Sequence, residues 1–135
     1  MKHNRFYVLP FLCVLLVFLL GCGDPKITGK VTFPDGSPLT VGTICFETSQ
    51  YTYYGDLTSK GTFSMGKTHD GQGAPAGSYR VYVRGAQVPI GRDNEGNTVY
   101  EYLVDDKFFS PDTSGLTCTV SGKTRLDIQV TAPGK

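Results

Sequence analysis

The sequence predicts an all-β domain, a single β-sandwich of about seven short strands. Three observations carry this expectation. Short segments alternate apolar and polar side chains with the period of two that a half-buried strand requires. Turn-forming residues separate them, drawn from 17 Gly and 8 Pro in 135 residues. Beyond residue 21 no segment has the 3.6-residue apolar period of an amphipathic helix. Tyr, Phe, Thr and Val supply strand-forming side chains, while Trp is absent.

The first element precedes the sandwich. Lys2, His3 and Arg5 form a basic start, and residues 6–20 are apolar apart from Pro10. This stretch is short for a membrane-spanning helix, which needs roughly 20 apolar residues, and suits a signal peptide. Leu19, Leu20, Gly21 and Cys22 follow directly. They resemble the lipobox of bacterial lipoproteins, although Leu20 is larger than the residue usual at its position. The resemblance implies that Leu19, Leu20 and Gly21 are read by the signal peptidase. It also implies that residues 1–21 are removed and that the Cys22 thiol takes a diacylglycerol group. Residues 22–26 would then be a lipidated N-terminus with a very short tether, keeping the domain of residues 27–135 close to a bilayer. Acyl chains contribute about 0.8 kcal/mol per buried CH₂, so several together hold a small domain on a membrane. The expected location is the cell envelope of a bacterium, on the inner or the outer membrane and outside the cytoplasm.

The strands follow in order. Residues 27–33 alternate, with Ile27, Gly29, Val31 and Phe33 on one face. Residues 34–38 are a turn in which Gly36 is free to take positive φ. Residues 43–48, 51–58 and 61–65 read as three more strands. A Gly-rich loop spans 66–77. Residues 78–84 are a clear strand with Tyr79, Val81 and Val83 inward and Arg80, Tyr82 and Arg84 outward. Residues 85–97 read as a surface excursion with a turn at 93–97, residues 98–104 as a strand and residues 105–115 as loop. Strands at 116–121 and 124–131 close the chain around a tight turn at Gly122 and Lys123. Alternation also orients two cysteines. Ile44 and Phe46 face the core, which points Cys45 outward to the surface, whereas Cys118 shares the apolar face as a small buried hydrophobe. A disulfide between them needs a bulge to bring both to one face.

Several segments then resemble carboxypeptidase regulatory-like domains. Gly29-Lys30-Val31-Thr32, the turn Asp35-Gly36-Ser37-Pro38-Leu39, Gly42-Thr43-Ile44-Cys45-Phe46 and Gly73-Ala74-Pro75-Ala76-Gly77-Ser78-Tyr79-Arg80-Val81 carry the likeness. The segment from Ser110 to Thr117 is similar to one common in small lipoproteins of planctomycete-type bacteria. The resemblance implies an Ig-like or transthyretin-like sandwich and a scaffold role, because these positions specify turns and strands. Tyr79 is expected to pack its ring inward and to hydrogen-bond through its hydroxyl.

Chemistry is sparse. Beyond the signal, His69 is the only histidine, paired with Asp70 in a loop and without a nucleophile motif. Asp105, Asp106 and Asp112 match no calcium-loop spacing. The sequence therefore predicts no catalytic residue, no metal and no cofactor. With 13 Lys and Arg against 12 Asp and Glu there is no basic run for nucleic acid. Tyrosines are the suggestive feature. Tyr51, Tyr53 and Tyr54 cluster on one strand, Tyr100 and Tyr102 share a face of another, and Arg80, Tyr82 and Arg84 form the candidate binding face. The expected function is a non-enzymatic, membrane-anchored interaction or structural module that contacts an envelope protein or glycan. The alternative is a carbohydrate- or peptide-binding lipoprotein that presents its ligand to a transport system.

Overall fold

A computed structural model describes residues 24–66 and 71–134. Leu19, Leu20, Gly21 and Cys22, with the rest of the expected signal peptide, lie outside the described residues, as do His69 and Asp70. Nine strands are described: β1 (Ile27–Thr32), β2 (Thr43–Glu47), β3 (Thr52–Asp56), β4 (Thr62–Ser64), β5 (Gly77–Arg84), β6 (Gln87–Arg92), β7 (Thr98–Tyr102), β8 (Leu116–Val120) and β9 (Thr124–Gln129). No helix among the described residues is long and apolar enough to cross a membrane.

Seven of the strands form the expected β-sandwich. One sheet has the order β4-β1-β9 and the other the order β3-β2-β5-β8. The inner faces are the ones that alternation marks. Ile27 and Val31 of β1, Ile44 and Phe46 of β2, Tyr79, Val81 and Val83 of β5, and Ile128 of β9 are buried together. Phe46 sits at the centre, with its ring 6.5 Å from that of Phe63 and 5.7 Å from that of Tyr79. Tyr79 behaves as its position in the sequence requires: its ring is buried and its hydroxyl donates to the Pro75 carbonyl at 2.5 Å. The bond satisfies a polar atom that burial would otherwise penalise.

Two glycines permit the close approaches. A Cβ on Gly29 would lie 1.8 Å from the Leu126 carbonyl oxygen and 2.6 Å from Cζ of Phe63, so β1 can sit between β4 and β9 only without a side chain there. A Cβ on Gly55 would lie 2.3 Å from the Ser64 carbonyl oxygen. There β3 crosses to β4, and Tyr54 and Gly66 exchange backbone hydrogen bonds at 2.8 and 2.9 Å.

Three expectations need correction. Residues 87–92 are a strand rather than an irregular excursion. They pair with β7 in a two-stranded sheet of their own, apart from the seven strands of the sandwich. Within residues 105–115, Asp106–Phe109 form a 3₁₀ turn capped by the Asp105 carboxylate, which accepts from the Lys107 amide at 3.1 Å. Cys45 does point away from the core, yet it is 0% exposed. Its register partners on either side are Tyr54 and Tyr82, whose half-buried side chains cover it from outside the sheet. Cys45 and Cys118 are both free, as their opposite faces require.

Candidate functional site: the β6–β7 ribbon and the outer face of the four-stranded sheet

The chain divides its surface between two ends, and β5 runs from one to the other. At its start lie residues 24–26. The Ala74 amide donates to the Pro25 carbonyl at 3.2 Å, and Pro75 is held by Tyr79. The phenols of Tyr53 and Tyr79 are pushed up chiefly by burial, with the Asp24 carboxylate adding to both, so Asp24 sits by the same end. β5 is eight residues long and ends at Arg84. At about 3.3 Å per residue, that is roughly 25 Å away. The ribbon of β6 and β7 leaves from this far end.

Among the described residues, the ribbon is anchored only at its base. The Leu103 amide donates to the Ala86 carbonyl at 2.9 Å, Ala86 and Val104 are buried, and the Tyr102 ring meets that of Phe109 edge-on at 5.4 Å. Beyond the base every residue from Pro89 to Tyr102 is exposed. Ile90 (59%), Val99 (38%), Tyr100 (47%) and Tyr102 (52%) are four of the five large hydrophobic residues exposed among the described residues. Tyr100 and Tyr102 share one face, as alternation predicts, and Pro89 stands across from Tyr100. The tip is ordered by Asp93, whose carboxylate accepts from the Glu95 and Asn97 amides at 2.9 and 2.8 Å and from the Asn97 side chain at 3.1 Å. Those Asn97 bonds hold its carboxyl below the usual range. An isolated two-stranded ribbon is marginal in water, and concentrated apolar surface of this kind marks an interaction site.

Arg80, Tyr82 and Arg84 lie together on the outer face of the four-stranded sheet, as expected. Arg80 is engaged within the chain: its guanidinium pairs with Glu47 at 2.8 Å and with Asp112. Tyr82 lies beside Cys45, and burial raises both the phenol and the thiol, while the Arg84 charge draws the thiol back down. Asp112 belongs to the segment from Ser110 to Thr117, and the structure gives that segment a physical role. Its Ser114 hydroxyl donates to the Val81 carbonyl, its Thr113 hydroxyl donates to the Lys107 carbonyl at 2.7 Å, and Asp112 meets Arg80. The segment thus fastens a connecting loop onto β5.

Beside Arg80, towards the residue 24 end, an open depression of about 430 Å³ is lined by Glu47, Ser49, Ser78, Thr117 and Thr119 among others. Hydroxyl-bearing residues and the Glu47–Arg80 ion pair share its lining with Tyr79 and Cys118. Among the described residues no group of three or more His, Cys, Asp or Glu is placed to hold a metal ion. The ribbon is the feature that the sequence conceals. Its Tyr100–Tyr102 face was legible, but the strand opposite was not, because Pro89 and Gly91 interrupt β6.

No protein-family model matches the chain, and no curated protein matches it significantly. Among solved structures, the chain is similar to a DUF3823 family protein from Bacteroides ovatus ATCC 8483, with a TM-score of 0.46 and 19% identity over 81% of this chain and 45% of that one. It is similar in the same degree to a DUF3823 family protein from Parabacteroides merdae ATCC 43184, with a TM-score of 0.46 and 19% identity over 82% and 47%. A 9R-lipoxygenase from Cyanothece PCC8801 gives a TM-score of 0.34 at 16% identity, over 81% of this chain and 16% of the enzyme. The chain spans less than half the length of each of these proteins.

Proposed function

We propose that this chain is a membrane-anchored lipoprotein of the bacterial cell envelope, a non-enzymatic β-sandwich that holds an interaction surface out from the bilayer. The observation that carries the reading is the separation of its two ends. Residue 24, two residues past Cys22, lies at the start of β5, and the apolar ribbon leaves from the finish. A lipid on Cys22 would seat the first end on the membrane and leave the ribbon facing a partner. The lipobox resemblance and the scaffold-like motifs of carboxypeptidase regulatory-like domains support the same reading.

The test is metabolic labelling with palmitate in a bacterial host, with Cys22→Ala beside the parent chain. The parent chain is expected to take up label and to sediment with membranes, and Cys22→Ala to do neither. Label retained by Cys22→Ala, or none on the parent, would overturn the anchor.

A second reading, a carbohydrate- or peptide-binding lipoprotein, is favoured by the hydroxyl-lined depression next to Arg80. Its mixture of hydroxyls with the Tyr79 ring suits a carbohydrate, with Arg80 in its wall. The weight rests with the first reading because Arg80 is already paired with two carboxylates and the apolar area is on the ribbon.

A further inference from the structure

We propose that the outer edge of β7 is a docking edge for an extended, basic segment of a partner protein, which joins the ribbon as a third strand. The inference deepens the interaction-module reading by naming the partner's chemistry, and it rests on that reading.

The hydrogen-bond alternation of an antiparallel pair decides which backbone groups face outward. At the base, the Leu103 amide bonds the Ala86 carbonyl, and at the tip the Asp93 amide bonds the Asn97 carbonyl, both at 2.9 Å. Counting inward from either end through the register gives one answer. The pairs Gln87–Tyr102, Pro89–Tyr100 and Arg92–Thr98 are the non-hydrogen-bonded ones, on both sides of the irregularity between Pro89 and Gly91. Amide and carbonyl groups of these residues therefore point away from the ribbon.

The two edges are unequal. On β6 the middle outward position is Pro89, which has no N–H, and the strand bulges beside it. Proline and bulges are what protect an edge from further pairing. On β7 the outward positions are Thr98, Tyr100 and Tyr102, each with a donor and an acceptor, and no described strand lies beyond them. One edge is closed and the other open.

The side chains specify what fits. Tyr100 and Tyr102 offer exposed rings on one face, and Glu101 projects from the other. An added strand would place apolar side chains against the rings and basic ones against Glu101, the period-two pairing that stabilises sheets. Asp93 and Glu95 at the tip make the ribbon acidic, with Arg92 its one cation. A second copy would bring the same sign of charge, which disfavours self-pairing and favours a basic strand.

Amide hydrogen exchange on the full chain in detergent micelles tests this with two peptides, one alternating Val and Lys, the other alternating Val and Glu. The Val–Lys peptide at about 1 mM is expected to slow exchange at Thr98, Tyr100 and Tyr102 by roughly tenfold or more and to leave Gln87 unchanged. The Val–Glu peptide is expected to do nothing. Tyr100→Pro removes the central outward donor while sparing the inward bonds of Val99 and Glu101, so slowing at Thr98 and Tyr102 should vanish with Glu101 still protected. Should that variant lose Glu101 protection, the two peptides on the parent chain decide the matter. No slowing with the Val–Lys peptide, or equal slowing with both, overturns the proposal. Protection that grows with protein concentration alone also overturns it, by identifying a second copy as the occupant. The lipid-labelling test reads Cys22 and this one reads the β7 amides, so failure of either is distinguishable from failure of the other.

Discussion

Gly29→Ala is expected to cost at least about 3 kcal/mol and to detach β1 from β9. Overpacking usually costs about 1–3 kcal/mol, because flexible side chains can yield. Here the nearest obstacle is backbone. The new Cβ would stand 1.8 Å from the Leu126 carbonyl oxygen, and the Phe63 ring blocks retreat at 2.6 Å. β1 pairs with β9 over six residues and with β4 over three, so shifting it disturbs the whole three-stranded sheet. A domain of this size has a total stability of only about 5–15 kcal/mol. Urea unfolding measures the effect as a lowered midpoint, and exchange at the Lys30 and Val31 amides localises it. A midpoint unchanged from the parent chain would mean that β1 and β9 do not approach as described.

Phe46→Ala is expected to cost about 3–5 kcal/mol, the range for removing a buried aromatic ring without collapse of its site. The surrounding geometry opposes collapse. The ring is fully buried between two sheets, and its neighbours Phe63 and Tyr79 are each fixed by other contacts. Tyr79 is tied to Pro75, and its ring also meets Tyr53 edge-on at 5.9 Å. The cavity would therefore stay open. Thermal unfolding checks this, with Phe46→Leu as the milder companion. A loss under about 1 kcal/mol would place Phe46 outside the core.

Particular residues show why some of this was legible in sequence and some was not. Val31, Ile44, Phe46, Val81 and Ile128 declare their face by period-two alternation, because one side of each strand meets the core and the other meets water. Cys45 shows the limit of that rule. Alternation gives a direction, and the direction was right, but burial depends on what lies across the neighbouring strands. Tyr54 and Tyr82 become its cover only once β3 and β5 flank β2 in register. Strand β6 shows a second limit. Exposed on both faces from Pro89 onward, it has no burial to impose a period, and Pro89 and Gly91 read as loop. The outer-face residues Arg80, Tyr82 and Arg84 were placed together correctly, yet no sequence pattern indicates that Arg80 meets Glu47 and Asp112. That pairing depends on a loop folding back 32 residues later.

The central claim is the orientation of the domain, with the residue 24 end on the bilayer and the ribbon away from it. The chain has no Trp, so a single introduced Trp is a clean reporter. The lipidated full chain would be placed on vesicles containing brominated lipid, with Trp at Asn94 on the ribbon tip or at Tyr51 in the β2–β3 turn near the tether. The account predicts that Tyr51→Trp is quenched by the brominated lipid and that Asn94→Trp is not. Quenching of Asn94→Trp would contradict it, because the ribbon would then be lying on the membrane instead of facing a partner.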